Sequence, residues 1–383
     1  MRSNLTRSTT LDLVRGLAAV AVCAGHLRAA MFVNYGQLET SSIVQKIFYA
    51  ATSLGHEAVM IFFVLSGFLV GGSLLRQKDN FKWLQYVIAR LTRLWIVLLP
   101  ALLFTVLVDQ IVQLFHPEVF LGAYSKVWAS GPDLVGYSRD WHVFIGNVFF
   151  QQTVFVPIYG SNSPSWSLAN EFYYYAIFPM LMLSIGYLGK PKRTVIRIIF
   201  GIIGVIILNR LPGGFAEGFL VFCMGALVSW YEMKSVRHKA GNMCFVILGL
   251  MVFLFAIYLS KSTMLFQYGN KDLLIGLGFS VLLTTLMQSR LSFRIVRHAA
   301  AFMADISYSL YLTHFPVVLL IAASFYGIDR VRLDAIGAAQ FTVWLGLILS
   351  VAIIFWYLFE RHTDLVKKVI LKFVAQKMYR KLI

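Results

Sequence analysis

Predominantly apolar blocks about twenty residues long recur along this chain, 94–115 and 341–359 among them. A helix needs about that length to cross the ~30 Å hydrocarbon core of a bilayer. Lipid offers no hydrogen bonds, so each crossing segment must satisfy its own backbone, and a series of such blocks restricts the chain to a helical bundle. Charged residues make up only 13% of the chain and hydrophobic ones 59%, about half the charge of a soluble domain. The expected fold is an all-α polytopic membrane protein.

Hydropathy predicts about ten transmembrane helices, near 11–33, 56–75, 94–115, 167–188, 194–209, 215–231, 243–260, 272–288, 305–326 and 338–359. The stretch 141–156 carries Asn147, Gln151 and Gln152 and reads as one extra half-buried segment; if it spanned, everything downstream would invert. Lysine and arginine concentrate in cytoplasmic loops. With the N-terminus inside, the N-terminus and segments 76–93, 190–197, 232–242, 289–304 and 360–383 hold 24 of the 34 lysines and arginines, and the external segments hold 8. That bias predicts both termini cytoplasmic. It also explains the net charge of +17 by topology and anionic lipid rather than by nucleic acid. The expected organisation is a transmembrane domain over 1–360 and a basic cytoplasmic tail over 361–383. No cleavable signal peptide is expected, since the first apolar block is full length and no clean small-residue cleavage site follows it. Cys23, Cys223 and Cys244 have no paired ligand spacing, so neither a disulfide framework nor a metal is expected.

A charge inside hydrocarbon is costly and points to function. Arg15 and His26 lie eleven residues apart in the first span. At 100° per residue they share a face, about 16 Å apart along the axis. Arg15 falls near the cytoplasmic end, where Asp12 at i−3 can pair with it, and His26 in the outer half. Arg90 and Arg93 share a face ahead of the third span, and guanidinium forks match phosphate oxygens. Glu171 lies a turn inside the outer edge of the fourth span, at the expected level of His26. A carboxylate there would orient the imidazole and stabilise its charged form, as a general base requires. Ser307, Tyr308, Tyr311 and His314 form a polar stripe in the ninth span. Ser66 and Gly67, with Gly71 and Gly72, give the second span a small-residue surface. Together these stripes describe a polar channel between the cytoplasmic face and the outer leaflet.

The motifs run in order along nearly the whole chain: Arg15 and His26, then Phe62-Phe63-Val64-Leu65-Ser66-Gly67-Phe68, then Arg90 and Arg93. After these come Trp166-Ser167-Leu168 with Glu171-Phe172, and Ile306-Ser307-Tyr308 with Tyr311-Leu312, His314 and Pro316. In this the chain resembles the membrane-bound acyltransferase-3 family. It departs in Glu360-Arg361-His362, where related chains often have proline after the basic residue; the appended extracytoplasmic hydrolase-like domain of some relatives is not expected here.

The resemblance implies transfer of an acyl group, commonly acetyl, from cytoplasmic acyl-CoA to a hydroxyl of an extracytoplasmic saccharide or glycolipid. The setting would be a bacterial cytoplasmic (inner) membrane. Expected partners are acyl-CoA as donor substrate, the glycan acceptor, membrane lipids and a second copy in a homodimer, with no metal and no nucleic acid. Arg15, Arg90 and Arg93 would hold the donor's phosphates and pantetheine. His26 would act as base or acyl carrier, oriented by Glu171, with His314 as a further catalytic histidine. Tyr308, Tyr311 or Ser66 would donate to the oxyanion. The rival reading is a proton-coupled transporter, which also uses intramembrane Arg, His and Glu, though no inverted repeat is visible.

Overall fold

Every expected span carries a helix in the structure, a computed structural model that describes residues 2–189, 194–234, 243–261, 268–289 and 295–379. Residues 190–193, 235–242, 290–294 and 380–383, parts of the basic segments that predict the topology, lie outside the described residues. In chain order the helices are α1 (Arg2–Met31), α2 (Ile43–Thr52), α3 (Gly55–Ser66), α4 (Gly72–Gln77), α5 (Trp83–Phe115), α6 (Trp141–Val148) and α7 (Trp166–Ser184). They continue with α8 (Thr194–Arg210), α9 (Phe215–Lys234), α10 (Met243–Ser260), α11 (Tyr268–Gln288), α12 (Arg297–Ile321), α13 (Ala335–Leu358) and α14 (Thr363–Tyr379).

Among the described residues, eight stretches are long and apolar enough to cross a membrane, from Thr9–Met31 to Ala335–Lys377. Two of the ten expected spans fall short of that standard. Asn170, Glu171 and three tyrosines dilute the first half of α7. The 17 residues of α8 reach about 26 Å. The eight residues of α6 give about 12 Å, too short to cross as a helix. In contrast, the 33 residues of α5 reach about 50 Å, beyond the hydrocarbon thickness, so the helix continues unbroken through Arg90 and Arg93.

The chain divides into two compact units, one of residues 1–18, 56–81 and 167–304, the other of residues 19–55, 82–166 and 305–383. In the first unit, α3, the π-turn Gly67–Gly71 and α4 pack on α9. The contact is backbone against backbone. A Cβ on Gly67 would fall on the Phe222 carbonyl, and one on Gly225 would fall on the Val64 carbonyl. Small residues permit such an approach between helices in lipid, where packing replaces the hydrophobic drive. Neither carbonyl can move without breaking its own helix. Gly67→Ala is therefore expected to destabilise the protein by about 3 kcal/mol, read as a lower unfolding temperature in detergent. An unchanged unfolding temperature would contradict the contact.

In the second unit, the segment after α5 is folded against that helix. Trp95 donates its indole N–H to the Val148 carbonyl at 2.8 Å and stacks on Phe150. Asn147 donates to the Val143 and Pro157 carbonyls and accepts from Tyr159 N–H, closing the turn after α6. A two-residue parallel pairing, Tyr137–Ser138 with Ile158–Tyr159, fixes the rest. The tail helix α14 packs on α5.

Candidate active site

Proline determines the local architecture of α12. Pro316 has no N–H, so it cannot bond the Leu312 carbonyl four residues back. That carbonyl instead accepts from Asn162 Nδ2 at 2.9 Å. From the residue just before Leu312, Tyr311 Oη donates to the Pro164 carbonyl at 3.0 Å. The loop 161–165 is thereby docked on α12 at the break that proline creates. On its other side Ser161 N–H donates to Asp109 Oδ2 at 2.8 Å, and Asn162 Nδ2 also reaches Thr105 Oγ1 at 3.3 Å.

His314 lies in this broken turn, fully buried. Its Nδ1 is 2.9 Å from the Leu310 carbonyl. A carbonyl only accepts, so Nδ1 carries the proton and Nε2 presents a lone pair. Nε2 has no protein partner. The His26 ring lies beside it, with centroids 5.4 Å apart. Phe315 meets His26 edge-on at 5.0 Å, and Trp128 stacks on Phe315 at 4.9 Å with its own ring 6.5 Å from His26. Among the described residues no hydrogen bond engages the His26 imidazole, which is only half-buried. The result is a pair of imidazoles against an aromatic wall, with one tautomer preset.

Arg93 occupies a second cluster of the same unit. Its Nη1 lies 2.7 Å from Glu360 Oε1, off the hydrogen-bond direction, so the attraction is coulombic. The other carboxylate oxygen accepts from Ser309 N–H at 2.9 Å and from Ser309 Oγ at 2.6 Å. Tyr308 lies under the Arg93 guanidinium, 5.1 Å from it, and donates its hydroxyl to the Leu94 carbonyl. Arg90, three residues earlier on α5, is half-buried.

The remaining candidates belong to the first unit. Glu171 accepts from Ser66 Oγ at 2.7 Å and from the Tyr175 hydroxyl, a turn along α7. Ser66 and Tyr175 also touch each other, at 2.9 Å. Arg15 is half-buried on α1, one residue before Gly16, which packs on Met303 of α12. Of the residues singled out from sequence, His26 thus meets His314, Arg93 meets Tyr308, and Glu171 meets Ser66. The hydroxyls of Tyr308, Tyr311 and Ser66 each donate to a protein oxygen.

Sequence reasoning missed Asn162, Asp109, Tyr175, Ser309 and the partnership of Glu360. One signal was present: a proline inside a helix leaves a carbonyl that some donor must satisfy. Outside the spans, burial pushes the Tyr124 hydroxyl up to about 12, with Glu118 adding to the effect. Burial also raises Tyr137, against the pull of its bond to Ser163. These phenols stay protonated at neutral pH.

A family described as an acyltransferase domain matches residues 9–361. Over 354 residues the chain is 26% identical to the peptidoglycan O-acetyltransferase OatA of Listeria monocytogenes, covering 81% of this chain and 49% of that protein. Over 180 residues it is 31% identical to the acyltransferase MdmB of Streptomyces mycarofaciens, covering 47% of this chain and 40% of that one. The alignments thus take in half or less of each relative's length. No solved structure matches. Because the family match runs from within α1 to beyond the end of α13 and takes in both candidate histidines, this multi-pass membrane chain belongs to the acyltransferase-3 family.

Proposed function

We propose that the chain transfers an acyl group, with acetyl as the leading candidate, from cytoplasmic acyl-CoA to a hydroxyl of an extracytoplasmic saccharide or glycolipid. The setting is a bacterial cytoplasmic membrane with both termini inside. The observation that carries this reading is the His26–His314 pair, 5.4 Å apart. No described residue bonds His26, so its ring nitrogen is open to an acceptor hydroxyl.

His26 takes the proton of the acceptor O–H, and the oxygen attacks the thioester carbonyl carbon. The C–S bond breaks, the acyl group stays on oxygen, and the thiolate leaves, to be protonated in turn. A variant acylates His26 first and passes the group on. Arg15, Arg90 and Arg93 are assigned to the donor's phosphates and pantetheine arm. Arg15 and His26 lie eleven residues apart on one unbroken helix, about 16 Å along its axis. That span lets a thin pantetheine carry the thioester from the inner face toward the base. Glu171 is assigned to proton handling in the same reaction. A relative named as a peptidoglycan O-acetyltransferase supports a hydroxyl of a surface glycan as the acceptor.

The test incubates the purified protein in detergent with radiolabelled acetyl-CoA and a cell-envelope extract. Label is expected in the glycan or glycolipid fraction as an alkali-labile ester. Absence of label transfer from acetyl-CoA and from longer acyl-CoA would remove the donor assignment. Rapid quenching under single turnover separates the two routes by whether labelled His26 accumulates.

A further inference from the structure

Beside the histidine pair, the second unit holds one buried donor without a hydrogen-bond partner, Trp128 Nε1, and six further atoms in that state: Asp109 Oδ1, Gln152 Oε1, Ser161 Oγ, Asn162 Oδ1, Ser165 Oγ and His314 Nε2. The residues of these six are each at most 1% exposed. A polar atom buried in that state is strongly disfavoured unless something bonds it. The six belong to one connected piece of structure. Asp109 holds Ser161, Asn162 holds the Leu312 carbonyl two residues before His314, and Gln152 Nε2 donates to the Ser165 carbonyl at 2.9 Å. Ser165 N–H in turn donates to the Asn162 carbonyl.

The chemistry of the six atoms is selective. Asn162, Gln152 and His314 each spend an N–H on a backbone carbonyl and leave an acceptor unused. With Asp109 Oδ1, four of the six atoms only accept, and the two serine hydroxyls accept or donate. A phosphate or carboxylate brings more acceptors and satisfies none of the four. A saccharide brings one O–H donor with every hydroxyl. The donors that anchor the cluster are tied to backbone, so the acceptors are held in fixed directions.

We propose that loop 161–165, docked on the Pro316 break of α12, is an acceptor subsite that binds saccharide hydroxyls. It presents one of them to the histidine pair. The identification of the ligand as the acceptor rests on the function proposed above; the presence of a hydroxyl-binding subsite does not.

Ser165→Ala tests it most directly, because that hydroxyl has no protein partner; Ser161→Ala is the second variant and also removes the pull of its hydroxyl on the Asp109 carboxylate. The probe is the oligosaccharide pool released from the host envelope, titrated calorimetrically into the full-length protein in detergent. Each variant is expected to weaken binding about fivefold and the pair about twentyfold, the size of one and two net hydrogen bonds. The unfolding temperature of Ser165→Ala should not fall, and affinity for acetyl-CoA should hold in both variants. Wild-type affinity in the double variant means the cluster holds ordered water only and overturns the subsite, as does a wild-type protein that binds no oligosaccharide. A loss of acetyl-CoA affinity instead assigns the cluster to the pantetheine arm and also overturns it. Weakened saccharide binding without any acyl transfer would sink the proposed reaction and leave the subsite standing.

Discussion

His26→Ala is expected to lower acyl transfer about 10³-fold while the protein remains folded. A positioned general base contributes about 10² to 10⁴ in rate, and if His26 also carries the acyl group the loss moves to the upper end. Folding should survive, because no described residue hydrogen-bonds this imidazole and its ring contacts are edge-on with Phe315 and Trp128 and tilted with His314. Truncation therefore leaves no new buried polar group from a broken bond. The measurement is labelled transfer at saturating donor, with thermal unfolding of the same preparation alongside. Transfer within a few-fold of wild type would end the assignment of His26 as base or carrier. Loss of transfer together with loss of folding would show that the ring's packing had been underrated. His26→Gln, which keeps bulk and polarity without a base of suitable strength, separates these cases: its activity should fall as far as that of His26→Ala.

The spans were legible because hydropathy depends on composition over a window, and a window of apolar residues has one solution in lipid. Helix ends were less so. Arg90 and Arg93 interrupt the apolar run but not the helix, so α5 begins at Trp83 rather than at 94. The helix α2 escaped notice because its ten residues are amphipathic and too few to span. Periodicity exposed the stripes carrying Arg15, His26, Tyr308, Tyr311 and His314, since 3.6 residues per turn fixes which residues share a face. It says nothing about which stripes face each other. Glu171 is the instructive example: periodicity gives its depth on α7 and no sign that Ser66 and Tyr175 hold its carboxylate. His314 meeting His26, and Asn162 satisfying Leu312, depend on tertiary contacts between segments far apart in sequence.

Glu360→Ala is expected to destabilise the protein by about 3 kcal/mol and to raise the KM for acyl-CoA. Glu360 is 4% exposed. It faces Arg93 at 2.7 Å and accepts two hydrogen bonds from Ser309. Removing one side of a buried pair leaves the other charge uncompensated, which costs about 3–5 kcal/mol; the lower figure applies here because the Arg93 side chain keeps 29% exposure. The Ser309 N–H and hydroxyl lose their acceptor at the same time. Glu360→Gln keeps an amide oxygen for Ser309 and loses only the charge, so its cost should be about half as large. Both readouts matter, because stability alone would fit a purely structural tie. If Arg93 docks the donor's phosphates, the carboxylate also fixes where its guanidinium sits between Tyr308 and the start of the tail. Glu360→Gln should then raise the acyl-CoA KM several-fold with little change in the acceptor's KM. A double-mutant cycle with Arg93→Ala gives the coupling directly. Additive losses of stability would refute the ion pair, and an unmoved donor KM in Glu360→Gln would confine it to holding α5, α12 and the C-terminal segment together.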